Sequence, residues 1–268
     1  GMTVAHPAVH LVSICTPTPL HAEQSIAALR AGKHVLCEKP MGRTPVVARE
    51  IARAASEAKS FFMPAMCMRF WPGWAQLKQI VTQETYGKVL GARFRRVSGP
   101  PSWGTKTYFN GSESGGALLD LHIHDADFVQ FLFGKPKRVF STGRSRFSGA
   151  IDHVVTQYEV AGGATVHAEG SWIQTRGFAM QYTLNFELAT LDFDKARGEE
   201  ALQIDDKSGT WLEKFDEQDG YAGQARYFVE CIKAGRAPEV VNAMDGVGAV
   251  EICAAEELSI QTRQPVEL

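Results

Sequence analysis

The first third of the chain alternates short apolar runs with alanine-rich stretches, and this alternation is the strongest constraint on its fold. The apolar runs cover residues 9–15, 34–37 and 61–63, and the stretches between them, residues 22–31 and 45–59, read AEQSIAALRA and PVVAREIARAASEAK. The apolar runs are of strand length, whereas the intervening stretches are rich in strong helix formers. Gly32 stands where the first helix would end, and Thr44-Pro45 reads as an N-cap followed by proline in the first turn. Strand, helix, strand, helix, strand is the pattern of a parallel sheet, because parallel neighbours need a long crossover rather than a hairpin. One more helix is predicted at about residues 74–85, before Gly87.

Beyond Gly87 the pattern changes. Residues 88–97, 138–147, 153–160, 165–173, 181–188 and 190–195 are rich in β-branched and aromatic side chains and are separated by turn residues. Gly162-Gly163 parts two of these runs at hairpin spacing, and residues 198–207 offer another edge strand. Helices are predicted at residues 117–133, 221–234 and 243–262. Together these make an α+β half on a mostly antiparallel sheet, with helices on one face. The Gly-, Pro- and Ser-rich loop at residues 99–116 is long enough to be functional.

With 268 residues and 44% hydrophobic content, the chain has ample material for a buried core. A formal net charge of -2 gives no reason to expect nucleic acid or an anionic membrane as a partner. No apolar stretch approaches a membrane span, and the opening residues lack a basic region followed by a long apolar segment, so the cytoplasm is the expected compartment. The five cysteines include no Cys-x-x-Cys pair, which argues against both a disulfide framework and a zinc knuckle. Cys15 and Cys37 lie in apolar runs and are expected to be small buried thiols.

Chemistry concentrates in GGALLDLHIHDAD, residues 115–127. If this run is helical, Asp120 and His124 lie one turn apart on one face with Asp127 on the same stripe, while His122 and Asp125 point to the other side. That division argues against one metal held by all five and in favour of an Asp–His pair for acid/base work. Helix capping and buried polar partners would account for the same residues. Glu38-Lys39-Pro40 follows the second strand, where the end of a parallel strand lines a ligand crevice. A lysine there can stabilise a developing alkoxide; a solvated turn lysine is the plainer alternative. TPTPLH, residues 16–21, sits correspondingly after the first strand. Arg69 is equally well explained by a surface salt bridge.

Taken together, ICTPTPLH (14–21), AGKHVLCEKP (31–40) and GGALLDLHIH (115–124) resemble the glucose–fructose oxidoreductase / inositol dehydrogenase / MocA family, and residues 245–255 resemble its closing helix. The resemblance implies an α/β protein. A Rossmann-like parallel sheet, here truncated, would occupy residues 1–86, and a C-terminal domain with a large, mostly antiparallel open sheet would occupy residues 87–268 and serve substrate binding and oligomerisation. It implies an NAD- or NADP-dependent oxidoreductase that passes hydride between a nicotinamide and a secondary alcohol of a sugar, cyclitol or related polyol, and that assembles as a homo-oligomer. By motif, Lys39, Asp120 and His124 would be catalytic, with His124 the acid/base. Thr16, Pro17, His21, Glu38 and Lys39 would line the nicotinamide and its ribose. His122 departs from the pattern, since glycine is commoner there; it, Trp103 and Tyr108 are candidate substrate contacts, and no metal is expected.

No Gly-x-Gly-x-x-Gly follows a predicted strand, so the pyrophosphate-binding helix N-terminus of the family has no counterpart here. About two βα units are expected to be absent ahead of residue 9, through a late-assigned start or a natural fragment, leaving the first strand as a sheet edge. Two other functions stay open: a cofactor-free sugar-binding or assembly protein, and a metal-dependent hydrolase using Asp120, His122 and His124.

Overall fold

A computed structural model describes residues 6–102, 105–175, 177–215 and 219–268. Strands β1 (Leu11–Ile14), β2 (His34–Cys37) and β3 (Phe62–Pro64) form a parallel sheet in the order β1-β2-β3, with Leu11 opposite His34 and Val35 opposite Phe62. Helices α1 (His21–Arg30) and α2 (Pro45–Glu57) are the crossovers. The Thr44 side chain accepts from the Val47 N–H and Pro45 occupies the first turn of α2, as its sequence predicts. Val35, Leu36 and Cys37 are all buried, as a strand covered on both faces requires. β1 pairs only with β2, so its outer edge is open among the described residues. Cys15 lies just beyond that edge strand and is exposed, which corrects the expectation of a buried thiol; Cys37 is buried as expected.

After α3 (Pro72–Thr82), the chain enters a nine-stranded sheet of order β11-β10-β9-β8-β4-β7-β6-β5-β12. Its strands are β4 (Val89–Val97), β5 (Arg138–Arg144), β6 (His153–Glu159), β7 (Thr165–Ser171), β8 (Ala179–Phe186), β9 (Ala189–Asp194), β10 (Leu202–Asp206), β11 (Gly209–Glu213) and β12 (Val266–Glu267). Only β4 and β7 pair in parallel; the other neighbours are antiparallel. The expected edge strand at residues 198–207 is displaced: Lys195–Glu200 makes a tight turn with Gly198 at φ 70°, and the strand starts at Leu202. The true edges, β11 and the two-residue β12, escape the sequence reading because both are short and take their pairing from distant partners.

Burial alternates along β6, β8 and β9, so one face is covered and the other open. Trp74 of α3 anchors the covered face, with its ring 4.7 Å from Phe128, 5.1 Å from Tyr182 and 5.9 Å from Phe94. The Tyr182 hydroxyl donates to the Gly73 carbonyl at 2.8 Å, which satisfies its buried polar tip. Helices α4 (Thr105–Tyr108) and α5 (Gly111–Ser114) interrupt the long loop, α6 (Ile123–Phe133) follows it, and α7 (Gly220–Lys233) and α8 (Ala243–Thr262) close the chain. A capping box at Asn242 and Asp245 starts α8. This helix touches both halves: a Cβ on Gly246 would lie 2.8 Å from Met41 Sδ, and Ser259 Oγ accepts from the Ser141 N–H of β5.

Candidate functional site

The expected helix over residues 117–133 does not begin as an α-helix. Leu118–His122 is a π-helical turn, and only from Ile123 does α6 run regularly. Gly115 and Gly116, at φ 75° and 68°, bring the chain into this turn; a Cβ on Gly116 would lie 2.5 Å from the Ile151 carbonyl oxygen. The wider i→i+5 turn shifts the phase of every residue before it relative to those after it. Asp120 and His124 still face the same cavity. Asp127, expected on their stripe, is instead buried against Arg69, with bonds of 2.9 and 2.7 Å. Arg69 is therefore no surface residue: its guanidinium also donates to the Val240 carbonyl and lies 3.3 Å from Asp245. His122 and Asp125 turn away from the cavity as the sequence predicts, Asp125 onto Arg96 of β4.

Lys39 follows the C-terminal end of β2 and crosses to the π turn. Its Nζ donates to the Asp120 carbonyl at 2.6 Å and to Asp120 Oδ1 at 2.9 Å. Burial would push the Lys39 ammonium toward losing its proton, but Asp120 and Glu38 more than offset this and hold its pKa above the usual lysine value. Burial raises the Glu38 carboxyl, with Lys39 and the Lys39 N–H acting against it. His124 is 8% exposed and its Nδ1 has no partner among the described residues. Burial first, then the Lys39 and Arg96 cations, drive its pKa well below 6.5, so the imidazole is neutral at physiological pH.

These groups line one cavity of about 680 Å³ whose walls also include Arg96, Trp71, Tyr108, Trp172 and Tyr221. Tyr108 meets Trp172 edge to face, 6.0 Å between centroids. The structure thus gathers Glu38, Lys39, Tyr108, Asp120 and His124. It does not gather His21: the ring is buried, with Nδ1 2.8 Å from the Pro40 carbonyl and Nε2 2.8 Å from the Thr16 carbonyl. His21 ties the loop after β1 to the loop after β2, across the cis Lys39–Pro40 peptide, rather than facing a ligand. Thr16 Oγ1 donates to Gln24 at 2.9 Å and Pro17 is exposed at the end of β1, outside the cavity wall. His122 is corrected as a substrate contact, because its ring is wholly buried against Tyr158 and Glu256. That also separates it from Asp120 and His124, so the three do not converge as metal ligands. Trp103 lies outside the described residues.

Sequence reading passed over Arg96, Trp71, Trp172 and Tyr221. Arg96 did carry a signal: strand alternation puts it on the covered face with Ala92 and Phe94, where a charge must have a partner or a task.

A parallel sheet whose strand ends open on a cavity with a lysine, a carboxylate and a neutral histidine, joined to a large open antiparallel sheet, defines a two-part α/β protein with a ligand crevice at its strand ends. Residues 2–66 match the model of the oxidoreductase family with NAD-binding Rossmann fold, and residues 74–192 match the GFO/IDH/MocA C-terminal domain. The chain belongs to the GFO/IDH/MocA oxidoreductase family. It is 34% identical over 165 residues to trans-1,2-dihydrobenzene-1,2-diol dehydrogenase of Bos taurus, covering 59% of this chain and 47% of the relative. It is 37% identical over 128 residues to D-glucoside 3-dehydrogenase of Escherichia coli (strain K12), covering 47% and 36%. The chain spans about half the length of the curated relatives it matches. Among solved structures, an oxidoreductase domain protein from Kribbella flavida superposes with TM-score 0.87 at 26% identity, over 98% of this chain and 81% of that one. Levoglucosan dehydrogenase in complex with NADH and levoglucosan shares the fold, with TM-score 0.87 at 23% identity over 98% of this chain and 81% of that one.

Proposed function

We propose that this chain carries the reacting site of an NAD- or NADP-dependent dehydrogenase acting on a secondary alcohol of a sugar, cyclitol or related polyol. The observation that carries the reading is the Lys39–Asp120 ion pair beside a neutral His124 whose Nδ1 lacks a partner among the described residues, all in one cavity at the strand ends. The names of the relatives, which are sugar and diol dehydrogenases, support the substrate class.

The residues fit a nicotinamide. The cavity opens at the end of β2, next to Glu38 and Lys39, where doubly wound folds bind such rings. When bound, the nicotinamide supplies the hydride acceptor or donor. His124, held neutral, takes the hydroxyl proton on oxidation and returns it on reduction. The Lys39 ammonium has a hydrogen left beyond its two bonds to Asp120 and stabilises the negative charge that develops on the substrate oxygen. Asp120 fixes the Lys39 head group and keeps it charged. The rings of Trp71, Tyr108 and Trp172 offer apolar faces to a sugar ring and exclude water.

The test is direct. Fluorescence titration is expected to show saturable NAD(H) or NADP(H) binding, and a panel of polyols to yield reduced nucleotide absorbing at 340 nm. Lys39→Met is expected to lower kcat by about 10²–10³ with nucleotide affinity little changed. Sugar binding without affinity for either nucleotide would favour the cofactor-free binding protein instead. Assembly as a homo-oligomer through the open face of the nine-stranded sheet, where Phe140 and Val155 are exposed, belongs to the same reading and is checked by light scattering.

A further inference from the structure

His122 is the motif residue that the site leaves unused. Its ring is wholly buried, with Nε2 3.0 Å from the Tyr158 hydroxyl oxygen and 3.1 Å from Glu256 Oε1. Tyr158 itself donates to the same Glu256 oxygen at 2.6 Å. A tyrosine has one hydroxyl hydrogen, so its oxygen accepts from His122, and Nε2 carries a hydrogen. Glu256 is 0% exposed and its Oε2 has no partner among the described residues. An ionised carboxylate in such a place persists only beside a cation.

The charges nearby can be counted. The titratable and charged groups that act on the His122–Glu256 pair are Cys253 of α8, Tyr158 and His153 of β6, Arg96 of β4 and Asp125 of α6. Burial keeps the Cys253 thiol and the Tyr158 hydroxyl protonated and lowers the His153 pKa, so none of the three adds a charge near neutral pH. Two carboxylates remain, and two bonds of 3.0 Å commit Arg96 to Asp125. His122, 3.1 Å away, is the group placed to balance Glu256, although its own Nδ1 meets no acceptor among the described residues.

We propose that His122 is a positioning residue: as an imidazolium paired with Glu256, it pins the π turn to α8 and so directs Asp120 and His124 into the cavity. The placement fits, since His122 lies two residues from each. Gly170 of β7 backs the ring so closely that a Cβ there would fall 2.5 Å from His122 Cβ, which leaves the ring no second position on that side. Burial alone would strip the proton from His122, but the Glu256 carboxylate outweighs it and holds the pKa above the ordinary histidine value. The catalytic consequence rests on the role of His124 proposed above; the ion pair and its grip on the turn do not.

The experiment is nitrogen-15 NMR of the histidine rings in the full chain, for the parent protein, Glu256→Gln and Tyr158→Phe. At pH 7.5 the parent is expected to show His122 protonated on both ring nitrogens. Glu256→Gln is expected to make His122 neutral and to move the His124 ring signals while leaving those of His167, on the open face of β7, in place. Tyr158→Phe, the smaller change, is expected to keep His122 charged and still shift His124. Where nucleotide-dependent activity is present, Glu256→Gln lowers kcat roughly tenfold with nucleotide KM unchanged. A neutral His122 in the parent overturns the proposal, as do unmoved His124 signals in both variants. Absence of any nicotinamide-dependent activity, with the NMR results as expected, would retire the proposed reaction and leave the positioning pair standing.

Discussion

Replacing Arg69 by methionine tests how the site helix is held. Arg69 donates Nε and Nη2 to Asp127 at 2.9 and 2.7 Å and Nη1 to the Val240 carbonyl at 2.8 Å. The two side chains are 2% and 1% exposed, and Asp127 belongs to α6, the helix that carries His124. Methionine replaces the aliphatic stem at similar length but leaves the Asp127 carboxylate with Gln130 Nε2, at 3.0 Å, as its remaining side-chain donor among the described residues. Removing one member of a buried pair costs about 3–5 kcal/mol, chiefly because the surviving charge has lost its counter-ion. The Arg95–Glu169 pair has a similar 3.0 Å separation, but its side chains are 24% and 23% exposed. Solvent screening limits such a pair to about 0–1 kcal/mol. Urea unfolding followed by circular dichroism is therefore expected to separate the two variants. Arg69→Met should lose about 3–5 kcal/mol and Arg95→Met about 1 or less, at unchanged m-value. At roughly 2–4 °C per kcal/mol, the first corresponds to a fall of roughly 6–20 °C in Tm. Arg69→Met with Asp127→Leu should recover much of the loss, since the fully buried carboxylate is gone and Asp245, 26% exposed, keeps solvent and the Asn242 N–H. The reasoning fails if Arg69→Met stays within about 1 kcal/mol of the parent, or if the double variant is no better than the single.

Other outcomes follow from the same structure. Lys39→Met removes one of the two cations that depress His124, so the acid limb of kcat/KM should move up toward pH 6.5; an unmoved limb would show that His124 is not the base. The sign follows from the neutral imidazole being the active form, whose population falls as pH drops through its pKa. Of the thiols, only the exposed Cys15 should react quickly with a disulfide reagent at pH 8, because burial pushes Cys37 up to about 12 and Cys67 up to about 11. Mass spectrometry of the labelled chain identifies the site, and rapid labelling of Cys37 in the native protein would contradict the burial argument. Gly170→Ala should cost about 1–3 kcal/mol in unfolding free energy, because the new methyl meets His122 rather than open space.

Much of the site was legible in one dimension. Lys39 could be placed because a strand pattern ends just before it, and a parallel strand's end is where a ligand crevice forms. Asp120 and His124 could be paired because residues four apart share a helix face, and they share the cavity despite the π turn between them. His21 was misread because its motif position beside the crevice says nothing about where its ring points. Two backbone carbonyls, one of them 19 residues away, decide that. Asp127 keeps its three-residue spacing from His124 within regular α6, but spacing does not name the partner a carboxylate meets, and Arg69, 58 residues away, takes it.

By itself the sequence determined the alternation of strands and helices, the start of α2 at Thr44-Pro45 and the clustering of ionisable residues in one short run. All of these depend on propensities, caps and spacings that act within a few residues. Tertiary structure alone decided what each charge does. Lys39 finds Asp120 across 81 residues, Arg69 finds Asp127 across 58, and His122 finds Glu256 across 134. A buried charge must be matched by whichever opposite charge the packed fold brings beside it, and local spacing carries no record of that partner. In this way five ionisable residues in one short run, alike in sequence, became two that face the cavity and three that hold the turn and its helix in place.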